Sequence, residues 1–177
     1  MSTTSYLLSG FGGQGILFAG KFLAYKGLVE GKQLSWLPSY GPEMRGGTAS
    51  CSVIVGDEPV GSPIVSAPDV LVAMNLPSLD RYEAAVVPGG MIVADATLIE
   101  RKVNRTDVRA FYLPATRLAG EKGLGGLANM ILIGKVLKEC GGFCGETVEA
   151  ALHKVISARH ADKLQANFEA LRLGASL

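Results

Sequence analysis

The sequence predicts an α/β fold, a mostly parallel sheet with helices on both faces, and three observations lead there. Short β-rich runs alternate with helical patterns, the order that builds parallel strands joined by crossover helices. The first run leads through a glycine-rich turn directly into a helix. The 177 residues suit one domain with a substantial core, and no internal repeat or linker divides them. The expectation is a single Rossmann-like domain over residues 1–177.

Taken in order, Tyr6-Leu7-Leu8 forms the first strand, and Gly10-Phe11-Gly12-Gly13-Gln14-Gly15 follows it. A helical pattern then runs from 16 to about 30. Strand, glycine turn and helix together aim unpaired backbone N–H groups at an anion. The glycines permit the tight turn and let a ligand approach the main chain without a Cβ in the way. A phosphate-bearing ligand at this helix N-terminus is therefore the first functional expectation; a tight turn with no ligand is the bland alternative.

Residues 34–37 read as a short second strand, and 48–55 alternate small or polar with apolar side chains, as a half-buried strand does. Between them, 38–47 has neither strand nor helix period. Residues 69–74 are β-rich and bounded by Pro68 and Pro77; 79–87 read as a helix closed by Pro88-Gly89-Gly90. Strands at 91–95 and 109–113 follow, the latter ending at Pro114. The C-terminal third is helical: 127–140 with Gly141 as its stop, 146–156, and 161–173 with Leu164, Phe168 and Leu171 on one stripe. Ligands of such sheets bind beyond the carboxyl ends of the strands, here the loops beginning at Gly10, Pro38, Asn75 and Asp95.

Composition narrows the function. Hydrophobic residues make up 48% and charged residues 19%, as in a soluble globular protein. No apolar run reaches the roughly 18 residues of a membrane span, and the N-terminus lacks the zones of a signal peptide. A net charge of +1 gives no electrostatic case for nucleic acid or an acidic membrane. A cytoplasmic protein is expected. Cys51, Cys140 and Cys144 form no metal framework, because structural sites use about four ligands in close pairs; buried or half-buried thiols in a reducing compartment are expected. His153 and His160 belong to solvated helix surfaces, and no spacing suggests a nucleophile–base pair.

Two further readings fall away. A nicotinamide site wants an acidic residue at the end of the second strand, whereas Glu30 ends the first helix. Gly15 to Lys21 imitates a P-loop, but Phe22 stands where Ser or Thr would hold magnesium.

Glycine is the compositional outlier, 23 residues of which ten precede Thr48. In the 38–47 loop, Arg45 is flanked by Gly46 and Gly47, a guanidinium beside a backbone that a phosphate or carboxylate can approach. Glu43 is placed to pair with it, and Tyr40 offers a flat face and a hydroxyl. A loop held by its own Glu–Arg pair, or docked on a neighbouring subunit, is the alternative. Asp95 either serves the site or caps the next segment. Asn129, after Gly123-Leu124-Gly125-Gly126, either contacts a ligand or satisfies loop backbone.

Together, Gly-Phe-Gly-Gly-Gln-Gly after the first strand and Pro-Ser-Tyr-Gly-Pro-Glu-Met-Arg-Gly-Gly-Thr-Ala before the third resemble the gamma subunit of 2-oxoacid:ferredoxin oxidoreductases. The resemblance covers nearly the whole chain. It implies a reaction: a 2-oxoacid such as pyruvate or 2-oxoglutarate, coenzyme A and oxidised ferredoxin give acyl-CoA, CO2 and reduced ferredoxin. It places thiamine diphosphate, magnesium and iron–sulfur clusters in alpha, beta and, in some complexes, delta or ferredoxin-like partner subunits. For this chain it implies a share in binding coenzyme A and closing the thiamine site. Gly10, Gly12, Gly13, Gln14 and Gly15 would form the cradle, Arg45 and Gly46 the charged contact, and Ser39, Tyr40 and Glu43 the loop shape, with Asn129 nearby. The small subunit of indolepyruvate:ferredoxin oxidoreductase and a stand-alone nucleotide-binding or regulatory module are the alternatives. Homodimerisation of the isolated chain stays open.

Overall fold

β1 (Thr3–Phe11) and β3 (Thr48–Gly56) run antiparallel side by side, with Thr3 opposite Gly56 and Phe11 opposite Thr48. The computed structural model describes residues 3–39 and 48–177. β2 (Gln33–Ser39) lies outside β3, also antiparallel to it. On the other flank of β1, β4 (Val70–Ala73), β5 (Met91–Asp95) and β6 (Arg109–Leu113) follow in parallel. The resulting order is β2-β3-β1-β4-β5-β6. β3 alone runs against the others; the stretch 40–47 that joins it to β2 is shorter than the dozen or so residues a parallel crossover needs. The carboxyl ends of β1, β2, β4, β5 and β6 therefore share one edge, as the sequence predicts.

Alternation along the strands divides the interior. Tyr6, Leu8, Val72 and Val93 point to one face, where α1 (Ile16–Val29), α3 (Ala115–Glu121), α4 (Ala128–Glu139) and α5 (Gly145–Val155) pack. α6 (Asp162–Ser176) covers α4 from outside, so residues 128–137 are buried on every side. Leu7, Leu71 and Ile92 point to the other face, covered by α2 (Leu76–Tyr82), a 3-10 turn at Glu83–Ala85 and the segment 96–108.

The single-domain α/β architecture is as predicted, with three corrections. The helix expected at 79–87 begins at Leu76: the Asn75 side chain accepts from Ser78 N–H at 2.8 Å, and Pro77 occupies the first turn, where its missing N–H costs nothing. α3 was not anticipated from the sequence. Cys140 and Cys144 are exposed, not buried or half-buried; Cys51 is buried. His153 and His160 are exposed.

Candidate functional site

The glycine turn is the point where β1 becomes α1. Gln14 N–H donates to the Phe11 carbonyl at 3.2 Å and closes the turn. Gly13 and Gly15 have φ of 90° and 75°, left-handed conformations that L side chains rarely adopt. Gly15 is the N-cap of α1 and offers no side chain, and the first helical turn contains no acidic residue. The first intrahelical bond is Ala19 N–H to Gly15 C=O at 3.0 Å. The N–H groups ahead of it, on Ile16, Leu17 and Phe18, have no partner within the helix. A 14-residue helix thus turns an uncapped, partially positive end toward the carboxyl edge.

Two side-chain amides hold this turn. Gln14 Oε1 accepts from Phe11 N–H at 2.6 Å, and Gln14 Nε2 donates to the Met74 carbonyl, just past β4, at 3.2 Å. A Cβ at Gly10 would lie 2.5 Å from Gln14 Oε1, so the close approach of the amide requires glycine there. From the first turn of α4, Asn129 Nδ2 donates to Gly15 C=O at 3.0 Å. A groove of about 290 Å³ opens on one side of the turn, lined by Gly13, Gln14, Met74, Thr116 and Gly126 among others. A second of about 250 Å³ lies on the other side, against Phe11, Gly12, Ile16 and Ala49.

The structure thus brings together Gly10, Gly12, Gly13, Gln14, Gly15 and Asn129. Ser39 ends β2 opposite Ser50, at the same edge and exposed. Tyr40, Glu43, Arg45 and Gly46 lie outside the described residues; the flanking Ser39 and Thr48 both sit at the edge that carries the turn. Asp95 is buried and takes the capping role: it accepts from Thr97 N–H at 3.0 Å and from the Thr116 hydroxyl at 2.5 Å. Lys21, the lysine of the apparent P-loop, lies along α1 in an apolar groove with Tyr25, Leu28 and Trp36. Sequence reasoning missed Thr116 and Met74, and a contact spanning 114 residues, Asn129 to Gly15, carries no local signal.

The class the fold defines is a Rossmann-like domain with an uncapped glycine turn at its carboxyl edge, and among the described residues no nucleophile–base pair stands beside that turn. The family model described as pyruvate ferredoxin/flavodoxin oxidoreductase matches residues 5–177, and the chain belongs to that family. It is 36% identical over 148 residues to the 2-oxoglutarate synthase subunit KorC of Methanocaldococcus jannaschii, covering 82% of this chain and 79% of that one. It is 45% identical over 130 residues to the ketoisovalerate oxidoreductase subunit VorA of Methanothermobacter marburgensis, covering 73% of this chain but only 27% of that protein. Among solved structures, the gamma subunit of a keto/oxoacid ferredoxin oxidoreductase from Geobacter sulfurreducens superposes with a TM-score of 0.85 at 26% identity, covering 99% and 96% of the two chains. A 2-oxoglutarate:ferredoxin oxidoreductase from Magnetococcus marinus, solved with 2-oxoglutarate, coenzyme A and succinyl-CoA bound, shares the fold. It has a TM-score of 0.87 at 23% identity, with 99% of this chain and 31% of that one covered.

Proposed function

We propose that this chain is the gamma subunit of a 2-oxoacid:ferredoxin oxidoreductase and supplies part of the coenzyme A site. The observation that carries the reading is the uncapped α1 N-terminus behind the glycine turn, a place built for a phosphate group. Coenzyme A is polyanionic and long, and two grooves flank the turn to receive its uncharged parts. The partner subunits' thiamine diphosphate supplies the decarboxylation chemistry, and their clusters pass electrons to ferredoxin. This chain's residues bind and orient: backbone N–H groups hold a phosphate, and Arg45, outside the described residues, is assigned a guanidinium contact on its sequence motif alone. Their contribution to rate is proximity, since a thiol held in place reacts as if at high effective concentration. The relatives are named for different oxoacids, 2-oxoglutarate and ketoisovalerate among them, which supports a reading in which the partner subunits choose the substrate.

The test is an affinity pull-down of the tagged chain from anaerobic extract, followed by 2-oxoacid- and CoA-dependent reduction of a viologen dye. Co-purification of thiamine- and cluster-bearing subunits with that activity is expected. An Arg45→Ala variant should raise the KM for coenzyme A and leave the KM for the oxoacid unchanged. A chain that comes down alone and inactive overturns the reading and favours an independent nucleotide-binding module.

A further inference from the structure

The two amides at the turn act on its backbone, not on a ligand. Both ends of Gln14 are engaged, Oε1 by Phe11 N–H and Nε2 by the Met74 carbonyl. Asn129 is 3% exposed, its Nδ2 is bonded to Gly15 C=O, and its Oδ1 is buried without a hydrogen-bond partner among the described residues. Neither amide presents a free, accessible group to a bound molecule. Among the described residues, these three are the side-chain hydrogen bonds that residues 10–15 make or receive.

They fall where the backbone is loosest. Gly13 and Gly15, both at positive φ, flank Gln14, and glycine has the largest conformational freedom to lose on ordering. Gln14 ties the turn to the end of the adjacent parallel strand, and Asn129 ties the helix N-cap to the start of α4. The Gly15 carbonyl already accepts the first helical bond from Ala19, so Asn129 adds a second donor to a satisfied group. Burial of the Asn129 amide demands an acceptor in any case; by taking the second lone pair of the Gly15 carbonyl, it also fixes the direction of the Gly15–Ile16 peptide. A loop already ordered before binding forfeits less entropy when the ligand arrives.

We infer that Gln14 and Asn129 are positioning residues that preorganise the glycine turn for the phosphate of its ligand. The inference rests on the coenzyme A reading above and adds to it which side chains make the turn competent. The experiment uses the complex that co-purifies with the tagged chain, carrying Gln14→Leu or Asn129→Ala. Each is expected to raise the KM for coenzyme A about five- to tenfold, the equivalent of roughly one hydrogen bond. The kcat and the KM for the oxoacid should stay unchanged, as should the KM for pantetheine, a thiol without phosphate. Hydrogen–deuterium exchange over residues 10–18 in the CoA-free complex should quicken in both variants, which loss of a direct ligand contact would not produce. A merely structural role would lower kcat and thermal stability with the KM for coenzyme A unmoved.

Gly13→Asp separates the two levels. It places a carboxylate at the turn, where a Cβ meets nothing within 4 Å; because the positive φ of Gly13 strains any L side chain, its KM is read against Gly13→Asn, which carries the same strain without the charge. If Gly13→Asp leaves the KM for coenzyme A unchanged, the coenzyme A reading of the turn fails. If it raises that KM while both amide variants leave KM and exchange unchanged, only the positioning role is overturned.

Discussion

The two faces of the sheet are covered by different physical means. Over one, α1, α3, α4 and α5 bury a continuous apolar layer that includes Leu8, Phe22, Val72, Ile131 and Leu152, with α6 stacked behind. Over the other, a seven-residue helix, through Leu79, and irregular chain cover Leu7, Leu71 and Ile92. Ion pairs tie that thinner cover together between segments, whereas pairs on the thick face such as Lys26–Glu30 and Lys135–Glu139 lie within single helices. Arg101 bridges Asp80 and Glu83, both at 2.7 Å, Arg105 reaches Asp107 at 2.6 Å and the Val86 carbonyl, and Lys102 sits 3.8 Å above the Tyr112 ring. Packing is indifferent to salt, whereas partly exposed ion pairs are screened by it. The first face should therefore behave as a rigid scaffold for the glycine turn, and the second as the face that solution conditions loosen.

The largest expected effect breaks the thick face. Gly134 in α4 and Gly174 in α6 let the two helices approach so closely that a Cβ at either would run into the backbone carbonyl of Leu171 or Ile131. Gly134→Val forces the helices apart and should cost about 3 kcal/mol or more. Thermal unfolding should show it as a fall of about 10 °C for a chain of this size, with no dependence on salt. An unchanged melting temperature would mean that the α4–α6 crossing does not hold this face.

The next effect is on the thin face. Glu83 is buried, accepting from Arg101 at 2.7 Å and from the Asn104 N–H, and it pins the segment after β5 to the end of α2. Glu83→Ala should cost about 1–2 kcal/mol, and the gap to wild type should narrow as sodium chloride is raised. Acid should act on the same face. The Arg105 guanidinium holds the Asp107 carboxyl below the ordinary carboxylate range. Its folded pKa is depressed, so the stabilisation is present above the unfolded value near ~3.9 and is lost as pH falls through the folded one. Protection factors for hydrogen exchange, corrected for the slower intrinsic rate in acid, should fall over 98–107 before those over α4; simultaneous loosening would contradict the contrast between the faces.

Legibility in the sequence follows the range of the interactions that decide each element. The start of α1 and the bounds of β5 and β6 are readable because glycine and proline punctuate them locally, at Gly15, Gly90 and Pro114. Pro77 misleads for the same reason: it resembles a boundary, yet Asn75 two residues earlier makes it a first-turn residue. α3 is short, follows Pro114 and contains Gly120, so it lacks a periodic stretch long enough to announce itself. The glycine turn is legible as a motif, but its braces are not. Gln14 to Met74 spans 60 residues and Asn129 to Gly15 spans 114, and both contacts exist only once the sheet and α4 are assembled. The same holds for Gly134 and Gly174, which read as helix-weakening residues until the helices are seen to cross there.

The smallest effect uses two cysteines to read the faces separately. Cys51 lies in the thick-face core, wholly buried, and burial pushes its thiol up to about 11. Cys144 is exposed at the N-cap of α5, where the backbone N–H groups of Thr147 and Glu146 hold its thiol below the ordinary value. Only the thiolate is alkylated, so iodoacetamide at neutral pH should modify Cys144 first and Cys51 only as fast as the core opens. Peptide mass spectrometry resolves the two sites. Because Cys51 reports opening of the thick face, Gly134→Val should accelerate its labelling, while Glu83→Ala should leave it unchanged. Acceleration of Cys51 by Glu83→Ala would show that the faces open as one cooperative unit, and that the difference in how they are covered does not extend to how they come apart.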